Sequence, residues 1–167
     1  DTTDALALIK KHFGDIAKRP TPSYEPGPPP AQQAERRELM YDPLAELPAF
    51  HIAYHIPPSR AQDHYALEML STILADGSSS RLYQELVKKR ELLQSLDVAT
   101  DDRRGPDLFS VWAVLAEGKD AKVARQVILD ELDKVARLGI TQREMQKARN
   151  RMRAAFVFGL QSNMARA

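Results

Sequence analysis

The sequence predicts an α+β domain in which helices cover an antiparallel or mixed β-sheet. After residue 34 the periodicity reads strand, strand, helix, helix, and this order then repeats once. Adjacent strands are typical of antiparallel pairing, whereas a doubly wound parallel sheet needs a helix between consecutive strands. A length of 167 residues, 43% of them hydrophobic, is enough to bury a core without disulfides.

Composition excludes several classes of function. The chain has 24 Lys and Arg against 23 Asp and Glu, a net charge of +1, so it lacks the basic excess of a dedicated nucleic-acid binder. It has no cysteine, which excludes disulfides, thiolate catalysis and cysteine-containing metal sites. No apolar run approaches the ~20 residues of a membrane span, and the opening DTTD does not resemble a signal peptide.

The first predicted element is a single amphipathic helix. Its apolar residues recur with a helical period at Ala5, Leu6, Ile9 and Phe13. Thr2 or Thr3 can cap its start, and we expect Gly14 to end it in the left-handed conformation. One helix cannot bury its own apolar face, so this face must pack on the rest of the chain or on something outside it.

A proline-rich linker follows over residues 20–33. Six of the eleven prolines lie in PTPSYEPGPPP, and proline disfavours both helix interiors and central strands. We interpret the segment as a stiff, extended connector. The alternative is a proline-rich ligand for a domain with an aromatic groove.

Two strands and a helix come next. Residues 35–41 form the first predicted strand. Residues 49–56 form the second, because they alternate with period two until Pro57 and the proline after it end the strand. Residues 61–75 return to a helical period, which Gly77 and the aspartate before it interrupt.

The string GSSSR at residues 77–81 precedes a short predicted helix. A serine nucleophile needs a nearby base and oxyanion donors, and the chain lacks G-x-S-x-G. A phosphate loop needs Gly-Lys followed by Ser or Thr at a fixed spacing from a first glycine, and no such string occurs. We therefore interpret Ser78, Ser79 or Ser80 as the cap of this helix.

The remaining elements are two strands and two helices. Strands are predicted over residues 93–100 and 107–116, joined by the polar turn DDRRGP. The next helix carries apolar residues at helical spacing and ends at Gly139. Thr141 and Glu144 form a capping box, which predicts the start of the last helix.

The four histidines are the candidate metal ligands: His12, His51, His55 and His64. The i, i+4 spacing of His51 and His55 would suit zinc on a helix, but on a strand it separates them by about 13 Å. We interpret this pair as polar residues on an open sheet face, and His64 as a cap-region residue of its helix. Neither H-E-x-x-H nor H-x-x-E-H occurs.

The last predicted helix has a basic face opposite an apolar one. The basic residues are Arg143, Lys147, Arg149, Arg151 and Arg153. This pattern is typical of an amphipathic helix with a solvated cationic face. The alternative is an RNA or DNA binder, whose binding would appear at low salt and weaken steeply as salt rises.

The longest informative stretch is residues 63–96, DHYALEMLSTILADGSSSRLYQELVKKRELLQSL. It follows HIAYHIPPS and precedes a strand hairpin and the helices DAKVARQVILDELDKVARLGITQREMQKA. In this order the pieces resemble the second, non-zinc half of the pitrilysin/insulinase family of inverted zinc peptidases. The opening DALALIKKHFGDI and the linker also resemble that family's passage between halves, so the resemblance covers nearly the whole chain.

The resemblance implies a metallopeptidase half-unit of the pitrilysin-like (LuxS/processing-peptidase-like) type. In that family one half binds zinc through H-x-x-E-H and a distant Glu, and the other closes a chamber over the peptide. Residues 61–75 would occupy the place of the zinc helix, but they offer Glu68 without a histidine pair. We therefore assign no catalytic or metal residue, expect this chain alone to be inactive, and expect zinc in another half or a partner subunit.

The resemblance also implies an Arg and a Tyr, seven residues apart, that hold the substrate backbone. The matching positions in this sequence are Val87 and Gln94. Neither offers the charge-assisted donors of arginine, and the stretch ELLQ that ends at Gln94 replaces the family's Gly-Leu-Ala-Tyr. The substrate-binding residues therefore stay unassigned.

The resemblance implies three parts and leaves rival functions open. The parts are a helix of a preceding half (1–19), the linker (20–33) and a truncated, non-zinc-binding α+β domain (34–167). We expect a piece of a longer metallopeptidase, and a native product of about 19 kDa would contradict this.

The leading function is a chamber-forming domain of a zinc endopeptidase acting on peptides, paired with a zinc-bearing half or in a homo- or heterodimer. The alternatives are a structural core or scaffold subunit of the same fold and a nucleic-acid binder. An H-x-x-E-H motif in the neighbouring sequence would favour the peptidase. The compartment stays open, although bacterial relatives of this type favour the periplasm or cell envelope.

Overall fold

The computed structural model describes residues 1–21, 23, 32–103 and 105–161. Most of the predicted linker and the last six residues lie outside these ranges. In chain order the elements are α1 Thr2–Phe13, β1 Ala49–Ile56, α2 Gln62–Ala75, a π-helix Tyr83–Lys89, β2 Leu93–Thr100, β3 Asp107–Leu115, α3 Ala121–Leu138 and α4 Gln142–Gly159. The predicted α+β class is confirmed.

The three strands form one antiparallel sheet in the order β1-β3-β2. The central strand β3 alternates strictly: Phe109, Val111 and Ala113 are buried, whereas Trp112 between them is 49% exposed. Period-two alternation places successive side chains on opposite faces, so one face of the sheet belongs to the core and the other is open. A single layer of helices, on the face that carries Phe109, Val111 and Ala113, is therefore enough to cover the apolar side of β3.

The core lies between the covered sheet face and the helices. Its fully enclosed large side chains include Leu74 of α2, Leu86 of the π-helix and Ile128 of α3, which pack on Val111 at the centre of β3. Burying each such side chain stabilises the fold by about 1.5–3 kcal/mol. Helix α4 packs outside this layer, on α2, and buries Ala148.

The predicted end of α3 and the predicted start of α4 are both confirmed. Thr141 and Glu144 form the predicted capping box at the start of α4, with both reciprocal bonds present. Gly139 follows α3 with φ +72°, the left-handed region that favours glycine. Asp120, which the sequence left unassigned, caps α3 by accepting a hydrogen bond from the Lys122 amide.

The predicted caps at both ends of α1 and at the start of the π-helix were wrong. Asp1, not a threonine, caps α1, because its carboxylate accepts the Thr3 amide. Gly14 has φ −65°, so it is right-handed; a side chain there would collide with the Lys10 carbonyl. No serine caps the π-helix: the Ser80 hydroxyl instead donates to the Gly77 carbonyl at 2.7 Å.

The predicted strand over residues 35–41 is wrong. The segment has no helix or strand, and Leu39 is 98% exposed. A strand exists only where a neighbour pairs with it, and no strand among the described residues does so. The segment is held near its start instead, because the Glu35 carboxylate accepts a hydrogen bond from Arg125 of α3 at 2.8 Å.

Helix α1 buries no residue. Its apolar face, with Leu6, Ile9 and Phe13, stays more than half exposed, so the sequence requirement for a packing surface is not met by the described part of this chain. None of the helices in the described ranges combines the length and the apolar character that crossing a membrane requires.

Candidate functional site

The two strand histidines lie on the open face of the sheet, as predicted. His51 is in register with Trp112 and His55 with Leu108. The His51 and Trp112 ring centroids are 5.9 Å apart, so the imidazole and the indole are in contact. Both histidines are exposed, and the open face they share is aromatic and polar.

His64 lies in the cap region of its helix, as predicted, but its side chain is buried, which the sequence did not predict. It lies in the first turn of α2 and its side chain is only 5% exposed. Its Nδ1 is 3.3 Å from the Pro57 carbonyl oxygen and 3.7 Å from Oδ2 of the fully buried Asp107. His64 is therefore part of the interior at the junction of α2 and β3, not a capping residue, and it makes no cap bond.

Asp107 organises this junction through its backbone partners. Its carboxylate accepts the Leu108 amide at 2.7 Å and the Arg103 amide at 3.3 Å. A buried carboxylate is tolerated where hydrogen bonds satisfy it, and these two bonds hold the Arg103 and Leu108 amides at the start of β3. The sequence signals a turn here but does not signal the aspartate's partner, because His64 is distant along the chain.

A cavity of about 440 Å³ opens beside His64. Its other lining residues are Ser59, Arg60, Tyr65, Glu68, Thr100 and Asp102. A second recess of about 380 Å³ shares Glu68 and Thr100 with it and continues between α2 and the edge strand β2. We call the two together the α2–β2 groove.

Zinc does not fit this groove. Helix α2 supplies His64 and, four residues later, Glu68, but structural and catalytic zinc sites need at least three protein ligands. No group of three or more His, Cys, Asp or Glu side chains capable of holding a metal exists within the described ranges. The chemistry available in the groove is hydrogen bonding and charge, without a metal-activated water.

The GSSSR string and the basic helix meet each other. Lys147 donates to the Ser79 hydroxyl, and Arg151 pairs with the Asp76 carboxylate. The Asp76 hydrogen bond is the main cause that raises the pKa of the Arg151 guanidinium. Two of the five basic residues of α4 therefore hold the turn after α2, which leaves less of the cationic face for a nucleic-acid backbone.

The two positions matched to a substrate-binding Arg and Tyr do not form such a site. Val87 lies on the π-helix and packs against the core, and Gln94 lies on β2 with an exposed side chain. Glu91 between them has φ +52°, a left-handed backbone that glycine adopts at lower cost. The structure therefore gives Val87 a packing position and leaves substrate binding unassigned.

Comparison with known proteins identifies the family of this chain. The family model of the peptidase M16 inactive domain matches residues 1–152. The chain belongs to this family. Its fold agrees with an M16 inactive domain, and the family assignment confirms the resemblance to the pitrilysin-like peptidases.

Relatives of this M16 inactive domain carry the name zinc protease. An uncharacterized zinc protease of Mycobacterium tuberculosis is 32% identical over 170 residues, covering 99% of this chain and 38% of that protein. The zinc protease PqqE of Helicobacter pylori is 29% identical over 161 residues, covering 93% of this chain and 36% of that protein. The chain thus spans less than two-fifths of these relatives.

A solved structure supports the fold over the same range. The crystal structure of a protease from Helicobacter pylori superposes with a TM-score of 0.85 at 25% sequence identity. The match covers 99% of this chain and 40% of that protease. The M16 inactive domain therefore has its counterpart inside a longer protease.

Proposed function

We propose that this chain is the non-catalytic, chamber-forming domain of a zinc-dependent endopeptidase that acts on peptides. The zinc would come from another half of the same polypeptide or from a partner subunit. The observation that carries the proposal is the one-sided sheet: α2, the π-helix and α3 contribute side chains to the core on one face, and the opposite face carries exposed residues. A wall that faces peptide needs such an open face, and here it is open across all three strands.

The chemistry of the open face suits an unfolded peptide. Trp112 stands at its centre, in register with His51 on one side and Asp97 on the other. An indole beside an imidazole and a carboxylate offers apolar contact together with hydrogen bonding. The edge strands β1 and β2 add unpaired main-chain groups, which an extended peptide recognises by adding a strand.

The exposed apolar face of α1 supports a partner half. Leu6, Ile9 and Phe13 are each more than half exposed, whereas isolated amphipathic helices gain most of their stability from tertiary packing. The curated relatives are more than twice as long as this chain. A zinc-bearing half that covers this helix would satisfy both observations.

Reconstitution tests the proposal. The 167-residue chain is mixed with the H-x-x-E-H-bearing half from the same or the adjacent gene, and cleavage of an internally quenched peptide is followed with and without a chelator. We expect zinc-dependent cleavage only when both parts are present. The variant Trp112→Ala should lower kcat/KM, whereas Leu138→Ala, an exposed apolar residue at the end of α3, should not. Full activity of the zinc half alone would contradict the proposal.

The second candidate is a structural core or scaffold subunit without a peptidase role. The absence of arginine and tyrosine at positions 87 and 94 favours it, since Val87 packs and Gln94 supplies no charge. Under this alternative the two parts form a stable complex that cleaves no peptide. Size-exclusion chromatography alongside the cleavage assay separates the two functions.

A further inference from the structure

We propose that the α2–β2 groove binds the lysine or arginine side chains of an extended peptide that pairs with the free edge of β2. This inference rests on the proposed function, because it names the class of peptide that the domain contacts. It concerns the helix side of the sheet edge and is separate from the open face around Trp112.

The shape of the groove fits a strand with side chains on one side. Its two recesses share Glu68 and Thr100, and the second is lined on one wall by α2 and on the other by β2 from Asp97 to Thr100. Among the described strands β2 pairs only with β3, so its outer edge is open. A peptide paired there would direct every second side chain, about 6–7 Å apart, towards α2.

His64 shows that the groove presents a built acceptor. The Pro57 carbonyl can only accept, so the 3.3 Å contact places a proton on His64 Nδ1, and the neutral form of the ring then carries its lone pair on Nε2. No described residue partners Nε2, no buried side-chain nitrogen or oxygen in the described ranges lacks a partner, and His64 lines the cavity. Nε2 therefore faces the cavity, while Asp107 and Pro57 fix the ring behind it.

The charges around this acceptor select cations. Glu68 and Asp102 line the first recess. Asp76 lines the second recess but is paired with Arg151, and Arg60 is the opposing cation of the first. Glu68 and Asp102 make no ion pair with any described residue, so two carboxylates face the single cation Arg60, and the neutral imidazole adds a lone pair. An ammonium or guanidinium donor is the complementary ligand.

The test uses labelled peptides that alternate threonine with lysine, glutamine or glutamate, each seven residues long. Fluorescence anisotropy with the 167-residue chain at low ionic strength measures the affinities. We expect the lysine peptide to bind most tightly and the glutamate peptide least. N-methylation of alternate lysine-peptide amides should abolish binding, because it removes donors to the β2 edge.

Protein variants assign the site. Glu68→Gln and Asp102→Asn each remove one exposed groove charge and should weaken the lysine peptide about two- to five-fold, without changing the glutamine peptide. Glu117→Gln removes the same charge after the far end of β3, away from the groove, and should change neither. Equal losses in all three variants, or equal affinity for lysine and glutamate peptides, would overturn the inference.

The outcomes separate this inference from the proposed function. If the reconstituted pair cleaves peptides but the groove variants leave lysine-peptide affinity unchanged, the groove inference is wrong and the chamber function stands. If the lysine peptide binds and the groove variants weaken it while reconstitution yields no cleavage, the groove is supported and the peptidase role fails.

Discussion

Arg81 and Glu144 form a two-bond ion pair that joins the start of the π-helix segment to the start of α4. Arg81 Nε lies 2.5 Å from Glu144 Oε1, and Nη2 lies 2.8 Å from Oε2. The Arg81 hydrogen bond is the main cause that lowers the pKa of the Glu144 carboxyl from 4.5 to about 2; burial opposes it, and Thr141 assists. The same carboxylate thus serves the capping box and the tertiary contact.

The first prediction concerns acid stability. Because the pKa of Glu144 is lower in the folded chain than in the unfolded one, its stabilisation is complete above about pH 4.5 and is lost as pH falls towards 2. Glu144→Gln keeps a capping-box residue but has no titrating charge. We expect this variant to lose on the order of 1–2 kcal/mol at pH 6 and little at pH 2.5, measured by urea unfolding.

The matched control for that experiment is Glu46→Gln, an exposed carboxylate without an ion pair among the described residues. It should follow the wild-type pH dependence. If Glu144→Gln loses the same stability at pH 6 and pH 2.5, the ion pair does not carry this part of the acid sensitivity.

The capping box could be predicted from sequence, but the ion pair could not. Thr141 and Glu144 are three residues apart, so their bonds depend on local backbone geometry alone. Arg81 reaches Glu144 only because α2 and α4 pack together, and no local pattern encodes that packing. The same limit explains residues 35–41, where alternation predicts a strand but pairing depends on a distant neighbour.

The second prediction concerns the buried carboxylate at the start of β3. Asp107→Ala removes the acceptor of the Leu108 and Arg103 amides and leaves both without it. We expect a loss of about 2–4 kcal/mol in the free energy of unfolding, measured in urea at pH 7 through the single tryptophan. Asp133→Asn, at an exposed α3 ion pair, should change it by less than about 0.5 kcal/mol. Similar small losses in both variants would contradict the role of Asp107.

The α2–β2 groove shows which features of a site can be predicted from the sequence. The resemblance placed α2 correctly as a helix without a zinc motif, and Glu68 was singled out on it. The burial of His64 was missed, because it depends on Asp107 and Pro57 converging from two different turns. Residue type and spacing therefore predicted that α2 carries no zinc motif. The buried position of His64 could be seen only in the three-dimensional structure.

The third prediction concerns Glu91. Its φ of +52° ends the π-helix in a left-handed conformation, in which a Cβ costs about 1–2 kcal/mol. Glu91→Gly relieves this strain but increases the entropy of the unfolded chain, which offsets about 0.4–1 kcal/mol. We expect a net gain of about 0.5 kcal/mol in thermal or urea unfolding. Glu91→Ala keeps the Cβ and should give no gain, so equal stability of the two variants would contradict the strain.

The fourth prediction concerns metal uptake. The 167-residue chain, incubated with Zn²⁺ and desalted, should retain far less than one zinc per chain in elemental analysis. The reason is geometric: the described residues hold no three-ligand cluster, and β1 separates His51 from His55 by about 13 Å. Stoichiometric zinc that a His51→Ala/His55→Ala variant loses would contradict both the strand geometry and the inactive-domain interpretation.

A gain-of-binding control makes a negative zinc result informative. Glu68→His places a second histidine four residues after His64 on α2, the spacing at which two helical histidines share one metal. Two histidines fall one ligand short of a stable zinc site, so we expect this change to raise the Zn²⁺ affinity above wild type in an equilibrium titration, without stoichiometric retention after desalting. If Glu68→His binds Zn²⁺ no more tightly than the wild-type chain in that titration, the orientation assigned to His64 is wrong.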